Sequence, residues 1–200
     1  MMSRKGISDK VAVIGMGCTR FAEHWDKSVD DLLIEAAYEA FEDAGIEPTD
    51  IEAAWLGTMT SGYAGITLSG PLKTQFIPVT RVENMCATGS EAFRNACYAV
   101  ASGAYDIVLA IGVEKLKDSG YSGLNTARPP SDGTAPNISA PASFSFLAPA
   151  YFKKYGLTAE QGREVLSRIA WKNHYNGSLN PKAQYRSEVS IENISKSPMV

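Results

Sequence analysis

The side chains of this 200-residue chain best suited to attack a carbon or move a proton are Cys18, Cys86, Cys97, His24 and His174. The setting of Cys86 is the one that points to covalent chemistry. It lies in Pro78-Val79-Thr80-Arg81-Val82-Glu83-Asn84-Met85-Cys86-Ala87-Thr88-Gly89-Ser90, where a β-type run carrying Val79 and Val82 gives way to a helical one. From Ala87, small residues recur at helical spacing through Ala92, Ala96 and Ala99 until Gly103 stops the pattern. A cysteine at a strand-to-helix corner faces the helix's unpaired N–H groups and the positive end of its dipole. Both stabilise a thiolate, so the corner makes a nucleophile without a base beside it in sequence. Position alone leaves a second reading open, a small buried core residue, since free cysteine is among the most buried types.

The elements around this corner alternate. Lys10 to Ile14 is a short β-branched run closed by Gly15-Met16-Gly17, hence a strand and a tight turn. The GxG lacks the third glycine and the later acid of a dinucleotide site, so it reads as a plain turn. Ser28 caps a helix with Asp30 and Asp31 in its first turn. Leu32, Leu33, Ala36, Ala37, Ala40 and Phe41 form its apolar face, and Gly45 ends it. Ile51 to Thr58 reads as a strand, Leu68 to Phe76 as a short helix, and the next strand ends at Met85. Ile107 to Val113 is nearly all apolar, which predicts a strand buried on both faces of a parallel sheet. Such alternation gives an α/β fold with right-handed crossovers, and reactive groups there lie beyond the carboxyl ends of strands, where Cys86 falls.

After Lys117 the texture changes. Ser119 to Ser145 is rich in glycine, serine and proline and reads as a long surface excursion. Two helical pieces follow, near Phe146–Tyr155 and Thr158–Asn173, the second opened by a Thr158/Gln161 capping box with Leu157 just outside.

Bulk properties bound the function. The length suffices to bury a core, and the net charge of −3 carries no basic stripe, so nucleic acid is not the expected ligand. No apolar stretch approaches membrane-spanning length, and Met1 to Lys10 lacks a signal-peptide core. Three cysteines without a CxxC pair suit a reducing compartment, so the cytoplasm is the expected address. On that basis the glycosylation patterns Asn137-Ile138-Ser139, Asn176-Gly177-Ser178 and Asn193-Ile194-Ser195 are chance matches.

The segment Asn84-Met85-Cys86-Ala87-Thr88-Gly89-Ser90, followed by Ala104-Tyr105-Asp106-Ile107-Val108-Leu109-Ala110-Ile111-Gly112-Val113-Glu114-Lys115-Leu116, resembles the nucleophile region of the thiolases. It is most similar to the sterol-carrier-protein type. Val11-Ala12-Val13-Ile14-Gly15-Met16-Gly17-Cys18-Thr19-Arg20-Phe21 and Glu42-Asp43-Ala44-Gly45-Ile46 resemble that family too. The resemblance runs, with gaps, over nearly the whole chain, strongest around Cys86 and weakest between about Gly120 and Ser143. It implies a thiolase-like fold: residues 1–117 as the N-terminal βαβαβαβ half of a layered αβαβα core, and residues 118–200 as an inserted loop domain, incomplete at its C-terminal end. It also implies a coenzyme A-dependent acyltransferase in which Cys86 becomes acylated and its backbone N–H helps bind the oxyanion. Coenzyme A is then a substrate or product, with no resident cofactor and no metal.

By the same resemblance Phe146 and Leu147, with Phe144, lie where the family's loop domain lines the pantetheine channel; the alternative is that they fill that domain's own core. Lys153, Lys154, Lys172 and Lys182 could meet coenzyme A phosphates or be simply solvated. Thiolases of this type take a histidine and a second cysteine from a second half, for which His24 and His174 do not substitute; both read as surface or structural residues. Cys18 and Cys97 read as structural. Glu83 is an unexpected acid near a nucleophile, and strand alternation is expected to turn it away, towards Arg81 or Arg94. Glu188 to Val200 is polar, and Ser197-Pro198-Met199-Val200 stops without a helix or a completed strand, so the chain is expected to need a second half, in cis or as a companion polypeptide, and to form a dimer or tetramer. Two other readings stand beside this one: a different condensing enzyme of the same fold class, such as a ketoacyl or hydroxymethylglutaryl-CoA synthase, and a non-catalytic subunit or scaffold.

Overall fold

The computed structural model describes residues 6–116, 118 and 140–198. Residues 119–139 of the excursion expected over Ser119–Ser145, the Asn137 glycosylation pattern, Met199 and Val200 lie outside the described residues, and the end of that excursion, Ala140–Ser145, is a helix, not a loop. The chain divides into two compact units, Met1–Thr19 with Glu23–Tyr121, and Arg20–Ala22 with Ser122–Val200.

The first unit is built on a parallel sheet whose described strands are β1 (Ala53–Gly57), β2 (Val79–Val82) and β3 (Val108–Gly112), in the order β2-β1-β3. Leu56 stands in register with Arg81 on one side and Ile111 on the other. Helix α1 (Val29–Ala44) and helix α2 (Ile66–Leu72) bring Leu33, Ala37, Phe41, Leu68 and Leu72 onto Ala54, Leu56, Leu109 and Ile111 to form the core. Helix α3 (Thr88–Ala101) buries Thr88, Ala92 and Ala96, and Thr88 packs on Gly57 at the end of β1.

Local signals set the helix ends. Ser28 and Asp31 form a reciprocal capping box at the start of α1, and Gly45 closes it in the left-handed conformation, φ 68°. Gly103, φ 76°, follows α3 in the same way.

The expected strand Lys10–Ile14 pairs with no strand among the described residues, and Val13 and Ile14 are exposed. The segment after it runs along α1 instead. A Cβ on Gly15 would lie 2.3 Å from the Ala40 carbonyl oxygen, and one on Gly17 2.0 Å from that of Ala36. Between and beyond the glycines, the Met16 and Cys18 N–H groups donate to the Asp43 and Glu39 carboxylates of α1 at 2.9 and 2.8 Å. The GxG is therefore a close approach to a helix backbone, not only a turn. A second correction concerns burial. The strand covered on both faces is β1, which is central, whereas β3 lies at an edge of the described sheet and buries only Leu109 and Ile111.

The second unit contains α4 (Ala140–Ser145), α5 (Leu147–Tyr155), α6 (Ala159–Leu179) and α7 (Ile191–Ser195). The capping box at Thr158 and Gln161 forms as the sequence predicts. Helix α6 runs past Asn173 and carries Gly177, where a Cβ would come within 2.8 Å of the Tyr185 carbonyl oxygen. The Gly162 face of α6 packs so closely on the Phe152 ring that a Cβ there would lie 2.3 Å from it. Near the end of the chain Ser190 accepts the Asn193 N–H and caps α7.

Candidate functional site

Strand β2 ends at Val82, three residues before the sequence predicts, and Met85–Ala87 form a turn of 3₁₀ helix that leads into α3. Cys86 is the middle residue of that turn and is exposed. It therefore sits beyond the carboxyl end of a parallel strand and at the N-terminal end of a 14-residue helix, with the alternative of a buried core residue set aside. The turn is held by side chains on either side of Cys86. Asn84 N–H donates to the Thr88 hydroxyl at 2.8 Å, and that hydroxyl donates to the Met85 carbonyl at 2.6 Å. The Glu83 carboxylate accepts the Met85 N–H at 2.5 Å. Glu83 thus turns to the backbone of the turn, not to Arg81 or Arg94.

Arg81 and Arg94 have other partners. Arg81 donates from Nε to the Gly62 carbonyl and from its terminal nitrogen to the Met59 carbonyl, both at 2.9 Å. Arg94 pairs with Glu91, whose carboxyl is held below its ordinary value by Arg94 and then by Asn95.

A second cluster at the same end of the sheet involves Glu114, just past β3. Its carboxylate accepts the N–H groups of Met59 at 2.7 Å and Thr60 at 3.1 Å, and the hydroxyls of Thr60 at 2.7 Å and Ser61 at 2.8 Å. Burial opposes ionisation of Glu114, but these bonds, led by that of the Thr60 hydroxyl, outweigh it and hold the carboxyl below its ordinary value. Lys115 adds a bond from its N–H to Ser61 Oγ at 2.7 Å, and its ammonium reaches the Lys27 carbonyl at 2.6 Å and Asp118 at 2.7 Å. The loop after β1 is thus tied to β2 by Arg81 and to the end of β3 by Glu114. Sequence reasoning missed this clamp and the role of Thr88. The available signal was an acid just after an apolar strand together with a Thr-Met-Thr-Ser run just after another.

The remaining predicted residues are spread out. Cys97 is half-buried on α3, Cys18 is exposed, and no disulfide links either to Cys86. His24 and His174 are both half-buried, His174 within α6. Phe146 and Leu147 lie in the second unit at the start of α5 and are exposed, as is Phe144. Lys153 and Lys154 end α5, with the Lys154 ammonium 5.5 Å from the Tyr155 ring centre. Among the described residues no group of His, Cys, Asp and Glu could hold a metal ion, and no helix is long and apolar enough to cross a membrane.

Residues 11–198 match the model of the thiolase N-terminal domain. The chain is 37% identical to an acetyl-CoA acetyltransferase of Methanothermobacter thermautotrophicus, covering 95% of this chain and 51% of that protein. It is 34% identical to sterol carrier protein 2 of Gallus gallus, covering 96% of this chain and 37% of that protein. In structure it is similar to a monomeric SCP2-thiolase-like protein of Mycobacterium smegmatis, with a TM-score of 0.71 at 19% identity over 92% of this chain and 38% of the other. The chain belongs to the thiolase family. It has the thiolase-like fold and spans about half the length, or less, of the curated relatives it matches.

Proposed function

We propose that the protein acts in thiolase-type acyl transfer and that Cys86 is the residue that carries the acyl group. The observation behind this is the place of Cys86: an exposed thiol in the turn between the carboxyl end of β2 and the N-terminus of α3. In cleavage, the Cys86 thiolate adds to the keto carbon of a 3-oxoacyl-CoA, and the carbonyl oxygen takes the negative charge. Collapse of this adduct breaks the bond to the adjacent carbon. The departing carbanion takes a proton and leaves as acetyl-CoA, and the thiol of a second coenzyme A then attacks the thioester to free Cys86. Claisen condensation is the reverse. In this reading the Cys86 backbone N–H, at the helix start, stabilises the oxyanion. Coenzyme A enters and leaves as a substrate, and no bound cofactor is invoked.

The proton on the carbon nucleophile must be moved by a general base and acid, roles we assign to a second half supplied in the same chain or by a partner. Residues 1–117 would then be the core half and 118–200 the loop domain, with Phe146 and Leu147 lining the pantetheine arm. A companion polypeptide or a second copy is favoured by the exposed apolar side chains of the first unit, among them Val13, Ile14, Met16 and Phe93. A cytoplasmic setting fits three cysteines outside any disulfide.

The test is Cys86→Ser in the natively purified protein, with any polypeptide that accompanies it. Coenzyme A-dependent cleavage of acetoacetyl-CoA should be lost while circular dichroism and melting stay as in the wild type. Retained turnover would refute the assignment.

A further inference from the structure

Met85 takes a left-handed backbone conformation, φ 48°. A residue with a side chain stays there only where its surroundings fix the peptide planes on both sides. Here both are fixed: the N–H of Met85 is held by the Glu83 carboxylate at 2.5 Å, and its carbonyl accepts both the Thr88 backbone N–H, which leaves its direction in the plane of the turn loose, and the Thr88 hydroxyl at 2.6 Å, which sets it. That carbonyl and the N–H of Cys86 belong to one planar peptide, so what directs the first directs the second. Thr88 is itself well anchored. The residue is 8% exposed, its hydroxyl also accepts the Asn84 N–H at 2.8 Å, and its methyl packs against Gly57, where an added Cβ would lie 3.0 Å from it.

We propose that Thr88 is a positioning residue that fixes the direction of the Cys86 N–H as the oxyanion donor, acting through the Met85 carbonyl. This rests on Cys86 being the acylated nucleophile. The hydrogen bond into the Met85 carbonyl also polarises the shared peptide and strengthens its N–H as a donor. Glu83 completes the hold from the other side of Met85.

The consequence separates two reactions of one thiol. Acylation by acetyl-CoA passes through an oxyanion: the thiolate adds to the thioester carbonyl, the carbon–sulfur bond to coenzyme A breaks, and coenzyme A leaves as a thiolate that takes a proton from water. Alkylation by chloroacetamide displaces chloride and forms no oxyanion. Thr88→Val keeps the shape and methyl packing but removes the hydroxyl, and Thr88→Ser keeps the hydroxyl.

The experiment follows both rates at Cys86 by mass spectrometry in the full chain with its natural companions. Removing an oxyanion donor typically costs 10²–10³ in rate, so misdirecting one should slow acylation by roughly tenfold or more in Thr88→Val. Alkylation should change by less than about threefold, and Thr88→Ser should restore acylation. Glu83→Ala gives an independent arm on the exposed side of the turn, with a several-fold loss of acylation and unchanged alkylation expected even if Thr88→Val folds poorly. Unchanged acylation in Thr88→Val and Glu83→Ala overturns the positioning role while leaving Cys86 as the acyl carrier. Equal loss of both reactions in folded Thr88→Val marks a merely structural residue and also overturns it. A wild-type protein that is alkylated but never acylated at Cys86 overturns the underlying reading as well.

Discussion

Replacing Glu114 tests whether the clamp at the carboxyl end of the sheet is electrostatic. Its two oxygens accept the N–H groups of Met59 and Thr60 and the hydroxyls of Thr60 and Ser61, with the Thr58 hydroxyl more distant at 3.5 Å. Hydrogen bonds to charged groups are each worth roughly 1.5–3 kcal/mol. Glu114 is exposed, so water replaces part of what is lost, and we expect Glu114→Ala to cost about 2 kcal/mol and not the sum of these bonds. Glutamine should cost less, about 1 kcal/mol, because its amide oxygen can still accept the Met59 N–H while its NH₂ donates to hydroxyls free to rotate.

The pH dependence follows from the sign of the shift. The folded carboxyl titrates below its ordinary value, because the hydrogen bonds outweigh the opposing effect of burial. Its contribution is therefore complete at pH values above the ordinary carboxylate range and fades as pH falls through the lowered value. The stability gap between wild type and Glu114→Gln should be constant above the ordinary carboxylate range and close as pH falls through the lowered value. Urea unfolding at several pH values measures the gap, and hydrogen exchange at the Met59 and Thr60 amides localises it. A gap independent of pH, or glutamine as damaging as alanine, would refute a charge-assisted clamp.

Other expectations follow from the same structure. Gly17→Ala places a Cβ against the Ala36 carbonyl, so the 15–18 segment must lift from α1 and give up the bonds to Asp43 and Glu39, at a cost of about 1–3 kcal/mol in urea unfolding. An unchanged midpoint would mean the segment does not rest on that helix. Ser28→Ala removes the N-cap hydroxyl and should cost about 1 kcal/mol. The carboxyl of Asp31, lowered first by the Ser28 N–H and then by its hydroxyl, should titrate closer to its ordinary value by NMR; an unmoved titration would sink the capping-box account. Leu56→Ala, at a fully buried site in the middle strand, should cost about 2–5 kcal/mol, and a smaller loss in urea unfolding would place the core elsewhere.

What could be read from the chain alone is what depends on neighbours in sequence. The Ser28 and Thr158 caps, the Gly45 stop and the Cys86 corner rest on contacts within three or four residues, and these are the features that formed where the sequence placed them. The early end of β2 depends on two side chains, Glu83 and Thr88, competing for backbone groups that a longer strand would have used. Lys10–Ile14 carries the pattern of a strand, but a strand exists only with a partner edge, and glycine spacing suited to a helix backbone took the following residues onto α1. The clamp of Arg81 and Glu114 on residues 58–62 was invisible because it requires the spatial order β2-β1-β3, which brings Glu114 55 positions back to Met59 and Arg81 22 positions back to the same residue. Helix α6 continued through Gly177 because the Tyr185 backbone lies against it, a long-range cause that local propensity does not carry.

The central claim is that Cys86 carries the acyl group, and intact-mass spectrometry of the natively purified protein before and after acetoacetyl-CoA tests it most directly. The account predicts one acetyl adduct that maps to Cys86, is absent from Cys18 and Cys97, and is removed by added coenzyme A. An adduct on another cysteine, or none on a thiol that alkylates readily, would contradict it.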